Sequence, residues 1–155
     1  MAKPSRVPVS RTFFVTSCTH ERRSLFQSER MAELFLEVLL HYRKADRFLL
    51  HEFVLMPDHF HLLISLDPGM TVERAVQLLK GGFSFRAGRE LGFKGEVWQR
   101  GFTDHMVKDE RDFQSHREYI RDNPVKRGLA VRGEDYRYSS ALPGFDLDAP
   151  PQFRG

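Results

Sequence analysis

The chain has 155 residues, enough for one domain with a single core, since at this size roughly 68 to 70% of the unfolded surface can be buried. Hydrophobic residues make up 41% and charged residues 29%, which excludes a disordered chain. Against 24 Lys and Arg stand 21 Asp and Glu, so the net charge of +3 does not by itself mark a nucleic-acid binder, although arginine, whose planar fork suits phosphate, outnumbers lysine.

The one cysteine, Cys18, excludes an intrachain disulfide and points to a reducing compartment. No run approaches the roughly 18 apolar residues of a membrane span, and Met1 to Arg6 lacks the apolar centre of a signal peptide. The expectation is a soluble, cytoplasmic protein.

After a short polar arm, Thr12 to Cys18 is rich in β-branched and aromatic residues and predicts a strand that ends in the polar cluster from Thr19 to Arg23. Ser28 is placed to cap a helix on which Met31, Leu34, Phe35, Val38, Leu39 and Tyr42 recur at the spacing of one face. Arg47 to Met56 and His59 to Leu66 predict two strands, and the short Pro57-Asp58 connection makes them an antiparallel hairpin. Thr71 can cap a second helix with Val72, Ala75, Val76, Leu79 and Phe83 inward, in which Gly81-Gly82 predicts a kink or a close backbone approach. Short extended pieces, Glu96 to Gln99 and Thr103 to Val107, flank Gly101, and Trp98 reads as core. A third helix starts at the N-cap Asp109 and is expected to end by Asn123, because Pro124 disfavours helical geometry in the residue before it. Residues 1–142 read as one domain and 143–155 as an irregular tail. Strands that pair with sequence neighbours, joined by helices, predict an α+β fold with helices packed on an antiparallel sheet, nearest to the ferredoxin-like plait.

Two stretches carry chemistry. Side chains alternate along a strand, so His59 and His61 share one face at roughly 6.6 to 7 Å between Cα atoms, outward, while Phe60, Leu62 and Ile64 point into the core. Two imidazoles suit Zn, Cu, Fe or Ni, but no cysteine set completes a closed structural site. An amide oxygen, water and a phosphate in the remaining positions would bring Mg²⁺ or Mn²⁺ into range. Two histidines also occur on sheet faces without any metal. On the third helix Tyr119 and Asn123 lie one turn apart, with His116 on the same shoulder, so a phenol and an amide could reach the ion held by the hairpin.

With Met56-Pro57-Asp58 before His59-Phe60-His61, and Tyr119 followed by Ile120 through Leu129, the chain resembles the single-tyrosine transposases of the HUH endonuclease superfamily, within them most closely the REP-associated tyrosine transposases. Trp98 to Phe102, Asp104-His105 and Tyr138 to Ser140 extend the similarity to about residue 142. The resemblance implies a ferredoxin-like sheet, a divalent ion (Mg²⁺ or Mn²⁺) on His59, His61 and Asn123, and Tyr119 as nucleophile. It implies cleavage and rejoining of single-stranded DNA at hairpin-forming sequences through a 5′-phosphotyrosine, and leaves monomer and homodimer both open. Lys80, Arg86, Arg100, Lys126 and Arg127, which cluster near the motifs, are candidates for phosphate contacts. The alternative of another class is a catalytically idle hairpin-DNA binder domesticated from a transposase. A relaxase-type nickase would need a longer chain, and a generic metal-dependent hydrolase would not need Tyr119.

Overall fold

Each predicted helix start carries its cap. In the computed structural model, which describes residues 11–153, α1 (Glu29–Lys44) follows Ser28, whose hydroxyl accepts from the Met31 amide at 3.3 Å. Thr71 accepts from the Arg74 amide ahead of α2 (Val72–Leu91), and Asp109 from the Asp112 amide ahead of α3 (Glu110–Lys126). Each cap satisfies one of the amides a helix start leaves orphaned. The polar arm over residues 1–10 and the last two residues of the tail lie outside the described residues.

The strands are β1 (Arg11–Cys18), β2 (Leu49–Met56), β3 (His59–Leu66) and β4 (Thr103–Met106). They form one sheet in the order β2-β3-β1-β4, every neighbouring pair antiparallel. With α1 joining β1 to β2 and α2 joining β3 to β4, this is the expected ferredoxin-like α+β arrangement. No helix among the described residues is long and apolar enough to cross a membrane.

Two local expectations change, and a third is decided between its alternatives. β2 begins at Leu49 rather than Arg47, because the chain turns first through Asp46 at φ 62°. Helix α3 runs past Pro124 to Lys126. A proline there forfeits its own bond to the carbonyl of Ile120, but in the last turn the Arg127 amide still reaches the Asn123 carbonyl at 3.1 Å, so the helix continues. At Gly81-Gly82 α2 is unbroken, and the close approach is realised instead: a Cβ on Gly82 would lie 2.6 Å from the Tyr42 hydroxyl.

The two sheet faces are covered differently. Phe13 and Val15 of β1, Leu50, Phe53 and Leu55 of β2, and Phe60, Leu62 and Ile64 of β3 join α1 and α2 in the main core. Trp98 packs there as expected, its ring against Phe26, Phe35, Phe60 and Phe83 and its Nε1 donating to the Lys80 carbonyl at 3.0 Å. The other face meets α3 through a small cluster of Val54, Met56, Leu63, Val107, Phe113 and Ile120. In β2 the register slips between Leu50 and Glu52. The extra residue lets the consecutive His51 and Glu52 both serve the α3 side, His51 against Phe113 and Glu52 against the arginines of α3. The outer edge of β2 is blunted by the chain that follows α3: the Leu55 amide donates to Tyr138, Ser140 to Phe53 and Asp148 to Leu50. Residues 143–153 thus have no helix or strand, yet Asp148 is anchored by Arg43 and by the Leu50 amide.

Candidate active site

His59 and His61 take the same face of β3, as alternation requires, opposite Cys18 and Thr16 of β1. That face is not solvated: α3 covers it, and the two residues are 3% and 5% exposed. Each ring is fixed through Nδ1. His59 Nδ1 lies 2.7 Å from Asp58 Oδ1, and Asp58 in turn accepts from Arg22 Nε at 3.2 Å. His61 Nδ1 lies 2.6 Å from Thr16 Oγ1. The Asp58 carboxylate makes His59 Nδ1 the donor and leaves a lone pair on its Nε2; His61 Nε2 carries one in the tautomer whose Nδ1–H donates to Thr16, the state a metal needs. The ring centroids are 4.8 Å apart. Burial, first of all, lowers the proton affinity of both imidazoles. For His61 the neighbouring His59 and the charges of Arg127 and Arg22 add to it, and its pKa falls to about 3. Both rings are therefore neutral at physiological pH.

Helix α3 brings Tyr119 to the histidines, with Asn123 one turn further along the same helix. The Tyr119 ring stands edge-on to His61 at 5.2 Å and to Phe14 at 5.9 Å, and it is 42% exposed, open to a substrate from solvent. Asn123 is buried one turn later. Two buried side-chain atoms among the described residues have no hydrogen-bond partner, His61 Nε2 and Asn123 Oδ1. Leaving a buried acceptor unmet costs about 1 to 3 kcal/mol, and both orphans are lone-pair donors, so the set of two imidazole nitrogens and an amide oxygen fits a divalent cation.

A buried carboxylate on β2 ties α3 to the sheet. Glu52, buried on β2, meets Arg117 Nε at 3.1 Å and Arg121 Nε at 3.3 Å, one helical turn apart on either side of Tyr119, and accepts from the Ser140 hydroxyl at 2.7 Å.

The basic candidates separate. Lys126 and Arg127 lie three and four residues past Asn123 and are exposed, and the Arg127 charge reaches both histidines. Arg100 is exposed as well. Lys80 is spent on the carbonyls of Gln99 and Gly101, at 3.0 and 2.8 Å. Arg86 lies on α2, on the other side of the sheet, paired with Glu37 and Glu90. His116 is tied to Asp112 and meets Phe14 at a tilt, with the ring centroids 4.6 Å apart. Sequence reasoning missed Thr16, Phe14 and Arg22, and took Asp58 for a turn residue only. The adjacency of Asp58 to His59 was a usable signal; the other three enter through the β1–β3 register and a loop in which Glu21 and Arg22 adopt φ of 56° and 54°.

The family described as "Transposase IS200 like" matches residues 11–123, a stretch that contains both histidines, Tyr119 and Asn123. The chain belongs to the IS200-like transposase family. Among its relatives, this transposase-family chain is 34% identical over 96 residues to a Haemophilus influenzae protein named "Putative REP-associated tyrosine transposase", covering 56% of the chain and 54%, about half, of that relative. It is 24% identical over 130 residues to the REP-associated tyrosine transposase of Escherichia coli, covering 83% and 75%. A solved REP-associated tyrosine transposase bound to a REP hairpin superposes with a TM-score of 0.72 over 99% of this chain and 98% of that one, at 22% identity, a level that speaks for the fold.

Proposed function

We propose that this protein cleaves and rejoins single-stranded DNA at hairpin-forming sequences, with Tyr119 as nucleophile. The observation that carries the reading is the pair of orphaned buried donors, His61 Nε2 and Asn123 Oδ1, beside a half-exposed tyrosine whose ring packs on His61. His59, His61 and Asn123 would hold a divalent ion, Mg²⁺ or Mn²⁺, which when bound supplies Lewis-acid polarisation of the scissile phosphate.

The Tyr119 phenol oxygen attacks phosphorus, the phenolic proton passes to solvent, and the 3′-oxygen of the preceding nucleotide leaves as a hydroxyl. One phosphoester forms as one breaks, so no nucleotide triphosphate is consumed, and rejoining is the same exchange reversed. Asp58 and Thr16 keep the imidazoles aimed, and Glu52 keeps α3 against the sheet. Arg100, Lys126 and Arg127 are the contacts proposed for the DNA backbone; Lys80 and Arg86, already engaged within the protein, are weaker choices. A homodimer exchanging α3 helices would use the same residues.

With Mg²⁺ or Mn²⁺ and a single-stranded hairpin oligonucleotide, the wild-type chain forms an adduct that survives a denaturing gel, and Tyr119→Phe forms none while melting like wild type. His59→Ala loses metal-dependent cleavage and retains DNA binding. Hairpin binding with no adduct from the wild type would establish the idle-binder alternative, and an adduct on Tyr119→Phe would remove Tyr119 from its role.

A further inference from the structure

A second set of donors lies beside the first and shares no residue with it. His105 on β4 and Asp112 and His116 on α3 bring one ligand atom each within 4.8 Å of one another. His105 Nε2 is 2.8 Å from Asp112 Oδ2, and His116 Nδ1 is 3.1 Å from Asp112 Oδ1 and 2.8 Å from the Asp112 carbonyl. The two imidazoles stack at 4.8 Å with an interplanar angle of 25°. Phe14 touches His61 on one side and His116 on the other, and it has no donor to lend to either group.

We propose that His105, Asp112 and His116 form a second metal site, for a zinc-class transition ion, that clips the edge strand β4 to the first half of α3. Two imidazoles and one carboxylate are the donor set that Zn²⁺, Co²⁺ and Ni²⁺ prefer over Mg²⁺, and three protein ligands leave a position for water. The carboxylate is already oriented: Asp112 Oδ2 accepts from the Lys108 amide at 2.9 Å. The side chains are 41%, 20% and 24% exposed, so an ion enters from solvent with a short movement of the two rings away from the carboxylate. Because His116 lies one turn before Tyr119, the clip anchors α3 upstream of the tyrosine. The site is independent of the DNA chemistry proposed above and is tested without DNA.

The test uses the full chain carrying His59→Ala and His61→Ala, titrated with Zn²⁺ against a chromophoric chelator, with Co²⁺ absorption as a second readout. The expected result is one equivalent of Zn²⁺ and a visible Co²⁺ band, with affinity at least about tenfold weaker, and the band lost, when His105→Ala or Asp112→Asn is added. No binding by the folded double variant, or equal affinity after both added substitutions, would overturn the site. If the double variant does not fold, wild type is expected to take up two equivalents and His105→Ala one; two equivalents in His105→Ala would overturn it equally.

Discussion

On the α1 and α2 side of the sheet, aromatic rings meet aromatic rings: Phe26, Phe35, Phe60, Phe83 and Trp98 lie within 6 Å of one another in successive pairs. On the α3 side a small apolar cluster is interleaved with His51, Glu52, His59, His61 and Asn123, all buried. The first face gains free energy from every contact; the second carries buried polar groups whose cost is met by specific partners or is left open at His61 Nε2 and Asn123 Oδ1. Stability and chemistry are thus divided between the two faces of one sheet, and each can be broken separately.

The largest effect is expected in the dry core. Phe83→Ala should cost about 3 to 5 kcal/mol in denaturant unfolding yet leave adduct formation intact while the protein stays folded. By contrast Asn123→Leu, which removes an unmet acceptor, should stay within about 1 kcal/mol of wild type in the presence of chelator and abolish metal-dependent cleavage. A loss from Asn123→Leu as large as from Phe83→Ala would collapse the distinction.

Glu52→Gln should cost about 1 to 3 kcal/mol, because it removes the charge that Arg117 and Arg121 share while keeping an acceptor for Ser140. Slower adduct formation at unchanged DNA affinity would place Glu52 as a positioning residue for Tyr119.

A smaller effect follows pH. Burial holds the His51 imidazole below its ordinary value of 6.5, with Asp148 and Glu52 opposing the shift only in part. The unfolded chain then binds the extra proton, so this contribution to stability is complete above about pH 6.5 and is lost as pH falls below it. Thermal melts in chelator at pH 7.5 and 5.5 should show the decline, and His51→Asn should lessen it.

The smallest effect belongs to α2. Gly81→Ala meets nothing within 4 Å and should stabilise by about 0.5 to 1 kcal/mol, whereas Gly82→Ala must displace the Tyr42 ring and should lose that gain.

What the sequence determined by itself was whatever local rules express. The three N-caps, the alternation of β3 and the turn at Pro57-Asp58 placed the elements, and the one-turn spacing of Tyr119 and Asn123 made them neighbours before any contact was known. The tertiary structure alone decided that α3 covers the histidine face, so that residues expected to point outward are buried and neutral. It also set Thr16 opposite His61, turned Asp58 and Arg22 onto His59, used a bulge to give α3 the Glu52 anchor, and committed Lys80 and Arg86 to partners inside the protein. Caps and periodicities act over three or four residues and leave a pattern in the chain. Strand register, helix docking and the pairing of distant charges join residues tens of positions apart, and no local periodicity records them.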